Sequence, residues 1–259
     1  MTAVQKNSFD LLRLCAAALV LYSHQHALLG LAELELLGWT TFGGVGVSIF
    51  FFLSGLLVWS SWARDPDLKR FFIRRSLRIF PALWFVVLVT VLVLGPIFSN
   101  LTAADYFASF EAWRYLSTAL LVVWRGLPGV FADNPFPLAV NGSLWTLPVE
   151  FLCYVSVALV GSISLVRRDG LMALSLVLVA QRVPWGSWVT DRLGDLSYGM
   201  YIFAFPVQQI VVELGRNRGW TFATHLSLSF VATSVLVYLS WHVLEKRALL
   251  FKPQRRVSA

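Results

Sequence analysis

The stretch VGVSIFFFLSGLLVWSSW, from Val45 to Trp62, decides the fold class of this chain. It contains no charged side chain, and most of its residues are apolar. Because an α-helix rises 1.5 Å per residue, roughly 20 residues of this kind are needed to cross the hydrocarbon core of a bilayer. The stretch therefore predicts a transmembrane helix.

The composition extends this prediction to the whole chain of 259 residues. Hydrophobic residues make up 58% and charged residues 14% of the sequence, and the mean hydropathy is +0.70. Soluble domains carry about 25% charged residues, so a single soluble globule is excluded. The net charge of +7 does not indicate nucleic-acid binding, because the basic residues stand between long apolar runs, where membrane topology requires them.

Five further segments have the character of membrane spans. The six predicted spans lie near residues 11–31, 45–62, 80–97, 144–166, 196–214 and 222–244. We therefore predict an all-α, polytopic transmembrane helix bundle of about six full spans, with residues 1–259 forming a single membrane-embedded domain. Two shorter apolar runs, 115–124 and 171–180, have about half the required length, so we expect re-entrant or interfacial segments there.

Positive charges predict the orientation of the bundle, because Lys and Arg are enriched in cytoplasmic loops. The connection 64–78 between the second and third spans is rich in basic residues, and so is the C-terminal tail from Lys246 onward. We expect both termini to be cytoplasmic and the chain to be a multi-pass protein of the plasma (inner) membrane. Residues 171–180 are too few to cross twice, so this segment stays at the interface or part of the bundle is missing there.

Ionisable side chains inside predicted spans are costly and are therefore candidates for a functional site. Arg13 and His24 are eleven residues apart, so both face one side of the first span, about 16 Å apart along its axis. The alternatives are an interfacial anchor for Arg13 and a hydrogen bond between helices for His24. Glu150 opens the fourth span, with Tyr154 one turn away as a hydrogen-bond partner and Arg13 or His24 as cationic partners. Its alternative is an interfacial carboxylate in water.

Three arginines precede the third span. Arg78 follows Arg75 by three residues and Arg74 by four, so on a helix the three share a face. Guanidinium groups pair bidentately with phosphate, which makes this face a candidate phosphate site. The alternative is a plain topology signal. The two cysteines, Cys15 and Cys153, lie in apolar runs and indicate neither a disulfide framework nor a metal site, so we expect no metal.

Several motifs resemble those of the acyltransferase family 3 proteins, integral-membrane O-acyltransferases that include many cell-envelope polysaccharide O-acetylases. The matching stretches occur in family order across most of the chain. They are Asp10-Leu-Leu-Arg13 with His24, GVSIFFFLSG (46–55), FIRRSLRIFP (72–81), SLWTLPVEF (143–151), LGDLSYGMY (193–201) and SWHVLEK (240–246). Each motif is loose alone, but their order is specific, and the chain is identified as a member of this family.

The resemblance implies an acyl donor, usually acetyl-CoA, that enters from the cytoplasm, and an acceptor hydroxyl on a carbohydrate at the outer side. By the same resemblance, His24 activates the hydroxyl or handles the acyl group, and Arg13 is its partner. Arg75 and Arg78 match the family's cytoplasmic arginine pair and are expected to bind the phosphates of the coenzyme. Glu150 matches the family's membrane glutamate, which has an orienting or acid/base role.

The chain is short for the family it resembles, whose members have several more spans. The missing helices fall between about residues 171 and 192, so the sequence resembles a family member with an internal deletion. Two alternatives to an active enzyme follow from this. One is a non-catalytic membrane transporter or assembly protein, and the other is an inactive, truncated family member.

Overall fold

The computed structural model describes residues 9–36, 38–162 and 195–253, and this part of the chain is mostly helical. The helices are α1 (Phe9–Leu28), α2 (Phe42–Arg64), α3 (Leu68–Val89), α4 (Gly95–Phe98), α5 (Ala103–Ala108), α6 (Phe110–Arg114), α7 (Thr146–Ser162), α8 (Ser197–Gly215), α9 (Phe222–Ser240) and α10 (Lys246–Ala248). The π-helical turns Thr90–Leu94 and Trp241–Glu245 extend α3 and α9, and 3₁₀ turns lie at Tyr115–Leu120, Ser143–Trp145 and Leu249–Phe251. Two short antiparallel strands, β1 (Glu35–Leu36) and β2 (Thr40–Thr41), are the departure from the all-α prediction within the described residues.

Polar residues in the sequence set the beginnings of three long helices. Thr41 caps α2, because its hydroxyl accepts a hydrogen bond from the backbone N–H of Gly44 at 3.1 Å. Asp67 caps α3 by accepting from the backbone N–H of Arg70 at 2.8 Å, and Thr221 caps α9 in the same way. Such caps satisfy N–H groups that the first turn of a helix leaves unpaired.

Helices occupy the described part of all six predicted spans. Four helical stretches are long and apolar enough to cross a membrane: Phe42–Arg64, Leu68–Phe98, Ser143–Ser162 and Phe222–Phe251. The second of these begins well before the predicted residue 80, because Asp67 starts the helix and its basic first turns precede the apolar part. A mostly helical structure with four helices able to span a membrane is thus confirmed, whereas the full number of spans and the cytoplasmic termini stay predictions.

The helices α1 and α8 carry polar side chains that are paired inside the bundle. Almost every residue of α8 is buried. Gln208 of α8 donates from Nε2 to the carbonyl of Leu21 at 2.8 Å and to Oε1 of Gln25 at 3.0 Å, both in α1. Gln209 donates to the carbonyl of Ala139 at 2.7 Å. Because unpaired amides are costly in an apolar interior, these bonds fix α8 against α1 and against the segment before α7.

The predicted interfacial run 115–124 begins with the 3₁₀ turn Tyr115–Leu120, which follows α5 and α6. Each of these three pieces has five or six residues, far fewer than a bilayer crossing requires. Trp84 of α3 donates its indole N–H to the carbonyl of Ala119 at 3.0 Å, which ties the turn to α3. The other short run, 171–180, and the predicted deletion between 171 and 192 lie outside the described residues.

Close packing of α1 on α2 depends on Gly46. A methyl group at this position would come within 2.6 Å of the carbonyl oxygen of Ala16. We expect Gly46→Ala to separate the two helices and to destabilise the protein by about 1–3 kcal/mol. Thermal unfolding of the detergent-purified protein measures this.

The matched control is Gly55→Ala in the same helix, where an added methyl group meets no atom within 4 Å. This variant should keep or raise the unfolding temperature, because alanine favours a helix over glycine by about 1 kcal/mol. Equal unfolding temperatures for both variants would contradict the packing described for Gly46.

Candidate active site

A cavity between α1, α2, α3, α7 and α8 lies where several predicted site residues meet. Its empty volume is about 540 Å³. Arg13, Arg78 and Glu150 line it together with the aromatic rings of Phe50 and Phe51 and several hydroxyl groups. Three of the five predicted site residues, from three different helices, therefore share one space. His24 and Arg75 do not line it.

One carboxylate joins the two arginines of this cavity. Asp195, just before α8, accepts from NH2 of Arg78 at 2.6 Å and lies 3.9 Å from NH1 of Arg13. Its second oxygen accepts from the hydroxyl of Ser197 at 2.6 Å. Burial alone would raise the pKa of Asp195, but the two guanidinium groups lower it below its usual range. The carboxylate is therefore ionised and bridges α1, α3 and α8.

A second chain of contacts connects Glu150 to Arg75. The hydroxyl of Tyr154 donates to Oε1 of Glu150, as the one-turn spacing in α7 predicts. The guanidinium carbon of Arg75 lies 5.7 Å from the centroid of the Tyr154 ring, within the range of a cation–π contact. Among the described residues, the Nε of Arg75 is buried without a hydrogen-bond partner. Arg75 thus contacts the hydrogen-bond partner of the cavity-lining Glu150 and has donor capacity to spare.

The arginine face predicted from spacing is divided in the structure. Arg74 pairs at 2.6 Å with Asp65, which also binds Arg70 at 2.6 Å. These two hydrogen-bonded arginines lower the pKa of Asp65 well below its usual range. Arg78 turns instead to Asp195, which lies 117 residues further along the chain. Arg74 and Arg78 therefore pair with carboxylates on different segments of the chain. Arg75, the third arginine, has no carboxylate partner among the described residues.

His24 and Arg13 share a face of α1, and both side chains meet the α8 region. The imidazole of His24 packs edge-on against the ring of Phe205, with the ring centroids 5.2 Å apart. Its Nδ1 is buried and has no hydrogen-bond partner among the described residues. The carboxylate of Glu33, which accepts from Ser23, is close enough to act electrostatically on the imidazole. His24 is thus half-buried, and its buried Nδ1 has hydrogen-bonding capacity that the described residues leave unused.

Sequence reasoning assigned no role to Asp195. The signal that could have found it is a lone carboxylate directly before an apolar helix, within the stretch LGDLSYGMY at 193–201. Two hydroxyls of the cavity wall were also missed: Thr146 and Tyr201, whose side-chain oxygens lie 2.9 Å apart. Within residues 9–36, 38–162 and 195–253, no group of three or more His, Cys, Asp or Glu residues is placed to hold a metal ion.

A sequence profile of the acyltransferase domain, family 3, matches residues 6–180 of the chain. The O-acetyl transferase of Shigella phage Sf6 is 29% identical over an alignment that covers 95% of this chain and 96% of the phage protein. That alignment runs over 328 positions, which exceeds the 259 residues of the chain. The phage protein therefore carries residues that this chain lacks, as expected for a shortened family member.

Two further proteins are similar to this chain in sequence. Nodulation protein 10 of Rhizobium leguminosarum bv. viciae is 33% identical, with 91% of this chain and 70% of that protein covered. Acyltransferase MdmB of Streptomyces mycarofaciens is 38% identical over 45% of this chain and 28% of its own length. No solved structure matches the chain significantly. Because the acyltransferase profile covers well over half of the sequence, the chain belongs to acyltransferase family 3 and is an enzyme that transfers acyl groups.

Proposed function

We propose that this enzyme moves an acyl group, most simply acetyl, from acyl-CoA to a hydroxyl of a cell-surface or exported carbohydrate, within the plasma (inner) membrane. The observation that carries the proposal is the cavity in which Arg13, Arg78 and Glu150 meet. The name of the phage relative, an O-acetyl transferase, supports acetyl as the group and oxygen as the acceptor atom. The carbohydrate class rests on the resemblance to polysaccharide O-acetylases.

Charge and shape favour acyl-CoA as the donor. Arg13 and Arg78 present guanidinium groups at the cavity, and such groups pair bidentately with phosphate. The aromatic wall of the cavity suits an apolar arm. Arg13 and His24 are separated by roughly 16 Å along the axis of α1. A donor with a charged head and a long arm can span this distance.

The transfer step requires a group that removes the proton of the acceptor hydroxyl. In the proposed reaction, a nitrogen of His24 accepts this proton while the hydroxyl oxygen attacks the thioester carbonyl carbon. The new C–O bond forms, the C–S bond breaks, and the departing thiolate takes up a proton, which His24 returns. Neutral imidazole is suited to this task near pH 7, and a buried Nδ1 without a partner leaves it ready to accept.

Arg75 provides the first test of the donor site. We expect Arg75→Ala to raise the KM for acetyl-CoA by about 10-fold, because a charge-assisted contact to phosphate contributes about 1.5–3 kcal/mol. Steady-state kinetics of the purified protein at several donor concentrations measures the change. The matched control is Lys69→Gln, which removes a positive charge from an exposed position of the same helix. Equal KM values for the two variants would argue against a phosphate contact at Arg75.

Function in cells tests the proposal as a whole. The chain is expressed in a bacterium whose envelope glycans lack O-acetyl groups, and released glycans are examined for base-labile acetyl by NMR. The proposal predicts O-acetyl signals with the wild-type chain and none with the vector alone. Membrane insertion of the chain without any acetylated glycan would favour the transporter or assembly alternative.

A further inference from the structure

Asp195 is half-buried between two cations that come from different helices and line the cavity. Its Oδ2 is 2.6 Å from NH2 of Arg78 on α3 and 3.9 Å from NH1 of Arg13 on α1. Its Oδ1 is fixed at 2.6 Å by the hydroxyl of Ser197, in the first turn of α8. The side chains of Arg78, Arg13 and Ser197 are therefore all restrained by contacts to a single carboxylate.

The carboxylate is needed because the arginines alone would repel each other. Arg13 and Arg78 are close enough for each charge to disfavour the other, and both are largely removed from water. A buried charge without a partner is strongly destabilising, whereas a paired one is tolerated. Asp195, which faces both arginines, and Asp10, at 4.0 Å from Arg13, thus permit two guanidinium groups to face one cavity.

The pairing also leaves binding capacity in the arginines. A guanidinium group has five N–H donors in a rigid fork, and the hydrogen bonds between Arg78 and Asp195 use one terminal nitrogen. Arg78 still lines the cavity with its remaining donors. The ion pair with Asp195 therefore fixes the orientation of Arg78, and the remaining N–H groups of its guanidinium can still bind an anion.

We infer that Asp195 is the positioning residue of the donor site: through Arg78, and with it Arg13, it fixes the orientation in which the cavity binds the phosphate groups of the acyl donor. The inference rests on the proposed function, because it assumes an acyl-CoA donor. Asp195 acts only through the arginines and contacts no reacting atom.

Asp65 offers a matched comparison. Like Asp195, it binds two arginines, Arg70 and Arg74, each at 2.6 Å. Its two arginine partners do not line the cavity, whereas Arg13 and Arg78, the partners of Asp195, do. If bridging two arginines were only a matter of stability, the removal of either carboxylate would have similar consequences.

The experiment measures the Kd of coenzyme A for the purified full chain by isothermal titration. We expect Asp195→Asn to weaken binding by about 10-fold and Arg78→Gln by about 30-fold. The double variant should bind no more weakly than Arg78→Gln alone, because Asp195 acts through Arg78. Asp65→Asn should leave the Kd unchanged, both in the wild-type chain and in combination with Arg78→Gln.

Two results would overturn the inference. One is a Kd of the Asp195–Arg78 double variant that is raised by the product of the two single fold-changes. The other is an unchanged Kd in Asp195→Asn. Ser197→Ala provides a second variant that keeps both charges, and it should weaken binding by about 3-fold by freeing the carboxylate. Binding of coenzyme A by a wild-type chain that transfers no acyl group would contradict the proposed function but not this inference. A wild-type chain that binds no coenzyme A would overturn both.

Discussion

Replacing His24 by alanine is expected to lower acyl transfer by about 100-fold or more, because general base catalysis by a positioned imidazole contributes about 10²–10⁴-fold. The buried Nδ1 has no hydrogen-bond partner within the described residues, so no described structural contact at this atom is lost. The change also removes the ring contact with Phe205, so the unfolding temperature is measured beside the rate. Initial rates with radiolabelled acetyl-CoA, and thermal unfolding in the same detergent, measure the two effects.

The control for this variant is His26→Gln in the same helix. His26 turns away from the cavity, contacts Tyr22 and Phe222, and its Nδ1 is 3.2 Å from the backbone carbonyl of Tyr22. Its replacement should leave the transfer rate within about 3-fold of wild type, because glutamine keeps hydrogen-bonding capacity and His26 does not line the cavity. Full activity of His24→Ala would remove His24 from the mechanism.

Replacing Arg78 by glutamine is expected to lower kcat/KM for acetyl-CoA by about 100-fold. The change removes a cation from the cavity and leaves the carboxylate of Asp195 with the hydroxyl of Ser197 and the more distant cation Arg13, at 3.9 Å. Truncating one partner of a buried, hydrogen-bonded charge pair costs about 2–5 kcal/mol. Steady-state kinetics with the donor as the varied substrate measures this, and Arg78→Lys should recover part of the loss because it keeps the charge without the fork.

Arg216→Gln is the matched control for Arg78→Gln. Arg216 pairs at 3.3 Å with Asp133 and at 3.4 Å with Glu213, and the Asp133 side chain is 74% exposed. Exposed ion pairs contribute about 0–1 kcal/mol, so kcat/KM should stay within about 3-fold of wild type. If the two variants lose activity equally, the cavity is not the donor site.

The helices could be predicted from the sequence because their signals are local. A bilayer span shows itself in roughly 20 consecutive residues, as in the stretch from Val45 to Trp62, and caps such as Asp67 mark a helix beginning within one turn. The spacing of Arg13 and His24 likewise predicted their common face, and both reach the α8 region. The hydrogen bond from Tyr154 to Glu150 followed from the same arithmetic.

The rest of the site depends on contacts between distant segments, which a single sequence does not reveal. The partner of Arg78 lies 117 residues away, in Asp195. The division of the arginine face depends on Asp65, which belongs to the turn before α3. The contact between the rings of Phe205 and His24 depends on how α8 packs on α1, which the sequence does not reveal.

The most direct test of the account reconstitutes the purified chain in liposomes with an envelope glycan that lacks O-acetyl groups. Acetyl-CoA is supplied in two preparations, one radiolabelled in the acetyl group and the other in the coenzyme. We predict that the acetyl label becomes covalently bound to the glycan in a base-labile form, that the coenzyme label stays free, and that His24→Ala abolishes the transfer. Passage of both labels across the membrane without modification of the glycan would contradict the account.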